Sequence, residues 1–307
     1  MERERPRLSP PLPPFSPRGR AAAAGGFTVI ELLFVAFVLV VLVGILLPAM
    51  PPRHRPHRQL KDQIQLRSIM QSLVLFAESN HGEYPLPSKL DPDNHTVAGS
   101  DAAPGGEHKD VTAHIFSKLI YDGYFPTELA VSPSEVNVNI VEDADYQFTS
   151  PSAAVDPALA LWDPAFAADF ASGKSNFSYA HTLPRGPRAA LWYNTFSATE
   201  ATVGTRGPRI TGLDADRKPI VADPNTNTFK MHGVRNQWAG LVGFNDNHVS
   251  FYTDMAPDNI TYTTTSGAEH RDTLFYDEPD DANGTNAFLA VYTTAGPEAA
   301  DFTTIWD

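Results

Sequence analysis

The clearest pattern along the chain is an uninterrupted apolar run near its start. From Phe27 to Leu47 there are 21 residues with a single charged side chain, Glu31. As an α-helix this run would be about 30 Å long, which matches the hydrocarbon thickness of a bilayer. It is longer than the roughly 7–15 apolar residues of a secretory signal, and no A-x-A-like cleavage site follows it. The pattern therefore predicts a transmembrane helix over residues 27–47.

A second pattern covers residues 60–80, where apolar side chains return every three or four positions. This spacing gathers them on one face of an amphipathic helix, which should end before Gly82. The residues of this face are Leu66, Ile69, Met70, Leu73, Val74 and Ala77. Between the two helices, residues 48–58 contain four prolines, which disfavour helical backbone. We therefore predict a Pro/Arg-rich linker over residues 48–58.

Beyond the amphipathic helix, short β-type runs alternate with segments rich in Pro and Gly. A polar loop over residues 91–110 precedes a short predicted helix at 111–121, and an Ala-rich helix is predicted within 151–170. The predicted strands are Asn137–Val141, Asn176–Leu183, Ala190–Phe196, Pro219–Ala222, Gly240–Phe244, His248–Tyr252, Thr261–Thr265 and Phe288–Thr293. Helices first and strands later predict an α+β fold with a mostly antiparallel sheet, as one domain over residues 59–307.

One pair of these strands has the pattern of a β-hairpin. Two alternating apolar runs within Leu241–Asp254 flank the tripeptide Asn245-Asp246-Asn247. Asn and Asp tolerate the left-handed backbone that a tight turn needs. We therefore expect a hairpin at this place.

The composition narrows the classes of function. The 307-residue chain has 23 Lys and Arg against 36 Asp and Glu, a formal net charge of -13. An acidic protein repels phosphate backbones, so we expect no nucleic-acid partner. The chain has no Cys, which removes disulfides, thiolate nucleophiles and Cys-based metal sites.

Motifs of known catalytic centres are not found in the sequence. It lacks G-x-S-x-G, H-E-x-x-H and a P-loop, so we expect no enzymatic activity. His232, Asp246 and His248 are candidates for an acid–base or metal site if they meet in space. Hydrogen bonding in a turn is the simpler interpretation of these residues.

An acidic run at residues 277–284 offers the oxygen ligands that calcium prefers. The candidate ligands are Asp277, Asp280, Asp281 and Asn283. The run departs from an EF-hand, because Pro279 takes the first ligand position and Ala290 the place of the bidentate Glu. We expect no cofactor and a solvated acidic loop, with calcium as the alternative.

The segment before the apolar run has the character of a leader. Residues 1–26 carry five Arg and two Glu and show no helical or strand period. Five basic residues lie on each side of the apolar run, so charge alone does not orient it in a membrane. Arg53, Arg55 and Arg58 lie just beyond the run and would contact anionic lipid headgroups or act as a simple flanking anchor.

Glu31 has two interpretations. It could lie at the level of the lipid headgroups, where the cost of a charge is lower than at the bilayer centre. It could also have a cationic partner. If the chain were cut between Gly26 and Phe27, the new α-amine would lie four residues upstream on the same helix face. The amine would then neutralise Glu31 within one chain or between neighbours.

The nine residues Gly25–Leu33, GGFTVIELL, resemble the class 3 signal of type IV prepilins, which type IV pilins and type II secretion pseudopilins share. The resemblance implies cleavage after Gly26 by a prepilin peptidase on the cytoplasmic side. It implies N-methylation of Phe27 and a role for Glu31 in assembly. The hairpin is similar to an F-x-D-G-H-V element found in prepilin-like proteins with long β-rich domains, although Asn247 replaces its Gly.

This resemblance implies a single-pass inner-membrane protein with a cytoplasmic N-terminus and an extracytoplasmic, periplasmic pilin-like domain. The expected function is that of a structural subunit or accessory protein of a type II secretion pseudopilus or a type IV pilus-like assembly. The implied partners are prepilin peptidase, other pilin or pseudopilin subunits, the inner-membrane secretion machinery and membrane lipids. The alternative is a membrane-anchored binding or enzymatic domain that uses the signal only for export.

Overall fold

The computed structural model describes residues 28–49, 54–233 and 236–307. The chain divides into two compact units, Met1–Arg53 and His54–Asp307. The leader and the cleavage and methylation positions, Gly26 and Phe27, lie outside the described residues. The predictions made for them therefore stay predictions.

In the first unit, helix α1 covers Val29–Ala49. Every side chain described in it, as far as Leu42, is exposed, and Glu31 is the one charged residue among them. Within the described residues, no helix is long and apolar enough to cross a membrane. The transmembrane helix over residues 27–47 stays a prediction.

In the second unit, helix α2 covers His54–Ser79, so it begins earlier than the apolar spacing predicted. Together with the end of α1 at Ala49, this makes residues 48–49 and 54–58 of the predicted linker helical, whereas residues 50–53 lie outside the described residues and the linker stays a prediction. Pro56 is tolerated because it lies in the first turn of α2, where a backbone N–H has no partner within the helix.

The end of α2 lies where the sequence predicted it. Gly82 adopts a φ of +87°, and its N–H donates to the carbonyl of Ala77 at 2.8 Å. This is the geometry of a left-handed helix cap, which Gly adopts without steric cost.

Ten strands and three further short helices complete the described part of the second unit. The strands are β1 (Tyr179–Thr182), β2 (Ala201–Thr205), β3 (Ile210–Leu213), β4 (Pro219–Val221), β5 (Gly240–Phe244), β6 (Val249–Tyr252), β7 (Thr261–Thr263), β8 (Glu269–Arg271), β9 (Leu289–Thr294) and β10 (Thr303–Ile305). The helices are α3 (Pro87–Leu90), α4 (Thr112–Tyr121) and α5 (Thr228–Met231).

Six strands form the main sheet, in the order β10-β9-β1-β2-β5-β6. All of its pairings are antiparallel, and β3-β4 and β7-β8 form two separate antiparallel ribbons. The second unit is therefore α+β with a mostly antiparallel sheet, which confirms the predicted fold class at that level.

Helix α2 packs on the main sheet, against β2, β5 and β6. Its inner face, including Leu66, Ile69 and Leu73, is fully buried. Gly243 of β5 allows a close approach, because a Cβ at this position would stand only 2.6 Å from Cγ of Met70. Burying such a face at about 25 cal/mol per Å² of apolar area is what holds the helix on the sheet.

Helix α4 contributes a second layer of the same core. Its Phe116 ring stacks on Phe177 with ring centroids 4.0 Å apart. The helix itself packs against β9. A separate cluster includes Trp238, Phe275 and Leu274. Trp238 and Phe275 meet edge to face at 5.0 Å.

Three predicted elements are wrong, two of them because side chains compete for the backbone. At 137–141 there is no strand: Glu135 accepts the N–H groups of Val136 and Asn137. Within 151–170 there is no helix: Asp156 and Asp163 accept the N–H groups two residues ahead of each, which forms turns.

The third wrong element is the strand predicted at 190–196. A 3₁₀-helix over Gly186–Ala190 occupies the start of this region, with Pro187 in its first turn. Phe196 then adopts a φ of +59°, which no strand contains.

Candidate functional site

The start of α1 carries a reciprocal capping box. Thr28 precedes the first helical residue, and the carboxylate of Glu31 accepts both its backbone N–H and its hydroxyl, each at 2.9 Å. In return, the N–H of Glu31 donates to the Thr28 hydroxyl at 3.3 Å. This arrangement satisfies backbone donors that the first helical turn leaves unpaired. Glu31 thus has a local structural role that sequence reasoning did not identify.

The capping box also fixes the position of a negative charge. All hydrogen bonds that the described residues make to Glu31 end on Oε2. A carboxylate has about four acceptor positions, so this geometry leaves Oε1 able to accept from a further donor. Glu31 can therefore cap its own helix and bind an external cation at the same time.

The outer face of α2 carries three exposed apolar side chains. Leu60, Ile64 and Leu75 have 57%, 60% and 47% of their surface exposed. They lie on the side of the helix opposite the buried residues that contact the sheet, among exposed polar side chains such as Gln71. Arg67 and Gln71, which are also exposed, lie between Ile64 and Leu75, so the three side chains add apolar area to a mixed surface and do not form a continuous patch.

The inner face of α2 holds a buried polar group, Asp62. Its carboxylate accepts hydrogen bonds from the hydroxyls of Tyr179 at 2.6 Å and Ser132 at 2.7 Å, and lies 2.5 Å from Nε2 of His232. Asp62 is fully buried, as is Tyr179. Burial, together with the Asp62 charge, raises the pKa of Tyr179, which keeps its hydroxyl a donor.

Hydrogen-bond contacts decide the interpretation of the candidate residues His232, Asp246 and His248. His232 lies against Asp62, whereas His248 bonds through Nδ1 to Asp246 inside the hairpin turn. The described residues contain no group of three or more His, Asp or Glu side chains able to hold a metal ion. The contacts of Asp246 and His248 are those of turn hydrogen bonding.

The hairpin itself is confirmed. Strands β5 and β6 pair antiparallel, and the N–H of Asn247 donates to the carbonyl of Phe244 at 2.8 Å. Asn247 has a φ of +67°, so it occupies the left-handed position that the similar element fills with Gly. Asn is one of the few residues that adopts this conformation readily.

In the acidic run, each candidate carboxylate bonds to a donor of the protein. Arg188 donates to Asp277 at 2.6 Å, and Tyr262 donates to Asp280 at 2.8 Å. Asp281 accepts three backbone N–H groups, at 2.6–3.0 Å. Asn283 lies in the turn that Asp281 closes. The alternative of a calcium loop stays a prediction for these four residues.

Two buried carboxyl groups, Asp272 before this run and Glu278 within it, were not among the candidate ligands. Burial raises the pKa of Asp272 to about 7. Burial, and then the nearby charge of Asp272, raises the pKa of Glu278 to about 8. Oδ1 of Asp272 is buried without a hydrogen-bond partner in the described part of the chain. Because these two acids are buried close to each other, the protonated form of each carboxyl group is favoured near neutral pH.

A cavity of about 370 Å³ lies beside the start of α4, between it and residues 164–169. Two imidazoles, His108 and His114, line it together with apolar side chains. The ring of His114 also packs against Trp162, with centroids 5.7 Å apart. Sequence reasoning missed this pair, because two His six positions apart in a loop and a helix match no ligand spacing.

Comparisons with known proteins give no match: no family model, curated protein or solved structure resembles this chain at a significant level.

Proposed function

We propose that this chain is a prepilin-like structural subunit or accessory protein of a type II secretion pseudopilus or a type IV pilus-like assembly. The observation that carries the proposal is the segment Gly25–Leu33, which combines Gly, Phe and Glu at the spacing of the prepilin signal. On this proposal, prepilin peptidase cuts after Gly26, Phe27 is methylated, and residues 27–47 anchor the protein in the inner membrane with its large domain outside the cytoplasm.

The geometry at Thr28 and Glu31 supports this role. The capping box binds the Glu31 carboxylate to the backbone N–H of Thr28, the residue that directly follows the proposed new terminus in the sequence. Oε1 then accepts a hydrogen bond from the terminal amine of the same chain or of a neighbouring subunit. An unpaired charge at a membrane edge costs more than a paired one, so this contact fixes the register between subunits.

The outer face of α2 adds contact area for the same role in the second unit. Leu60, Ile64 and Leu75 give the extracytoplasmic helix an apolar surface for a neighbouring subunit. The alternative, a membrane-anchored binding domain, is favoured by one observation, the cavity at His108 and His114.

Two variants separate pairing from capping at Glu31. Glu31→Gln keeps an oxygen that accepts from Thr28 but removes the charge, whereas Thr28→Val removes the capping hydroxyl and keeps the charge. We expect both proteins to be processed. Co-purification with tagged pilin or pseudopilin subunits should fall severalfold for Glu31→Gln and stay near wild type for Thr28→Val. The reverse order would show that Glu31 only caps its own helix and would contradict the pairing.

A further inference from the structure

The cavity beside α4 has the dimensions and lining of a small-molecule site. Its volume of about 370 Å³ falls in the range of roughly 300–1,000 Å³ that such sites occupy. Apolar groups from two segments form most of its wall. They are Val97, Val111, Ala113, Pro164, Ala165 and Phe166.

The contacts of the two imidazoles fix their tautomers. Nδ1 of His114 lies 3.0 Å from the carbonyl oxygen of Lys109, and Nε2 of His108 lies 2.8 Å from the carbonyl oxygen of Ala98. A carbonyl oxygen only accepts, so each of these nitrogens carries the proton. In the neutral ring, the other nitrogen is then an acceptor with a free lone pair.

Neither acceptor has a partner among the described residues. Nδ1 of His108 is buried and unpaired, and no hydrogen bond reaches Nε2 of His114 from the described part of the chain. Burial lowers the pKa of His114 to about 4, so the ring is neutral near pH 7. Nε2 of His114 is the accessible one of the two acceptors, so a donor within the cavity can bond to it.

The charges around the cavity restrict the ligand. None of the described residues that line it is Lys or Arg, and the nearby Lys109 is fully buried with its Nζ bound to Asp91. Asp169 is the one acid in the lining, and its Oδ1 accepts the N–H groups of Ala171 and Ser172. A phosphate or carboxylate would find no counter-charge here.

We propose that this cavity binds a small, uncharged, apolar molecule with an N–H or O–H group, which Nε2 of His114 accepts. The apolar wall supplies most of the affinity, and the imidazole selects molecules that can donate. This activity goes beyond the structural role in an assembly and does not depend on it.

A matched pair of probes tests the donor requirement. Indole and benzofuran have nearly the same shape, but only indole has an N–H. Titration of the full chain in detergent, followed by calorimetry, should show saturable binding of indole. Benzofuran should bind about five- to a hundredfold more weakly, since it leaves the acceptor unpaired.

Variants locate the site and provide the controls. His114→Phe keeps a ring but removes the acceptor, so it should abolish the preference for indole over benzofuran. Ala167→Trp fills the cavity and should remove binding of both probes, which also measures their partition into detergent. His270→Phe, which makes the same change on β8, should leave both affinities as in wild type.

Three results would overturn the proposal: no saturable indole binding above the Ala167→Trp background, equal affinity for both probes in wild type, or an unchanged preference in His114→Phe. Because His114 also packs on Trp162, folding of each variant is checked by circular dichroism. If His114→Phe does not fold, the wild-type preference and Ala167→Trp alone decide the outcome.

Discussion

At the scale of single residues, the structure depends on buried polar groups that join distant parts of the chain. Asp62 on α2 receives hydrogen bonds from Ser132 and Tyr179 and contacts His232, which lie 70, 117 and 170 positions away. The sequence contained a signal for this group, because Asp62 precedes the buried stripe that continues with Leu66 and Ile69. Its partners could not be predicted from the sequence. Ser132 and His232 lie in irregular segments, and Tyr179 lies in β1, whose pairing depends on the whole fold.

Asp62→Ala should lower the free energy of unfolding by about 3 kcal/mol, because it leaves several buried donors unpaired. Chemical denaturation followed by tryptophan fluorescence measures the change. Asp122→Ala removes an acid from a surface i,i+4 pair with Lys118 and should cost less than about 1 kcal/mol. Equal effects of the two variants would show that the Asp62 network does not stabilise the fold.

The buried carboxyl of Asp272 should make stability depend on pH. Burial raises its pKa to about 7, whereas in an unfolded chain it is about 4. The folded state therefore holds the proton more tightly, and this stabilising contribution, full below about pH 4, is lost as the pH rises through about 7. Above pH 8 the wild type carries an unfavourable buried charge beside Glu278.

Asp272→Asn removes this titration while its side-chain oxygen can still accept the N–H of Ala287. Relative to wild type, the variant should gain stability between pH 5 and pH 9, on the order of 3 kcal/mol. Thermal unfolding at the two pH values measures this difference. Asp258→Asn, at a carboxylate that is 92% exposed, is the control and should show no such trend. A pH-independent difference for Asp272→Asn would contradict the raised pKa.

At the scale of elements, the sequence predicted those whose apolar spacing and turn residues agree. The amphipathic helix, the helix at 111–121 and the hairpin of β5 and β6 are confirmed, because each has a clear period and a defined end. Strand β2 was missed: it is buried along its whole length, so its apolar and polar residues do not alternate, and Gly204 interrupts its β-forming Thr and Val residues. The strand predicted at 137–141 is wrong for a different reason: its Asn side chains favour turns over the hydrogen-bond pairing of strands.

The turn between β5 and β6 gives a prediction at this scale. Asn247 has a φ of +67°, and its Oδ1 is buried without a partner within the described residues. Asn247→Gly should therefore raise the free energy of unfolding by about 0.5 kcal/mol. Asn247→Val should lower it by about 2 kcal/mol, because a β-branched residue is strained in this conformation. Equal stability of the two variants would show that the turn is free to change its conformation.

At the scale of the whole molecule, the protein combines a proposed membrane anchor with a large α+β domain. The fold class followed from the order of helices and strands, but the cavity at His108 and His114 did not. Its walls come from three parts of the chain, within residues 97–114, 164–169 and 292–293, which only the fold brings together. Both features of the proposed function lie at surfaces: the start of α1 and the outer face of α2. On this proposal, the protein acts through contacts with copies of itself or with related subunits.

The central claim is that the native chain begins at Phe27. N-terminal mass spectrometry of the protein purified from membranes of its own cells tests it most directly. We expect a mature terminus at Phe27 that carries one additional methyl group. A native protein that retains residues 1–26 would contradict both the processing and the pairing of Glu31 with a terminal amine.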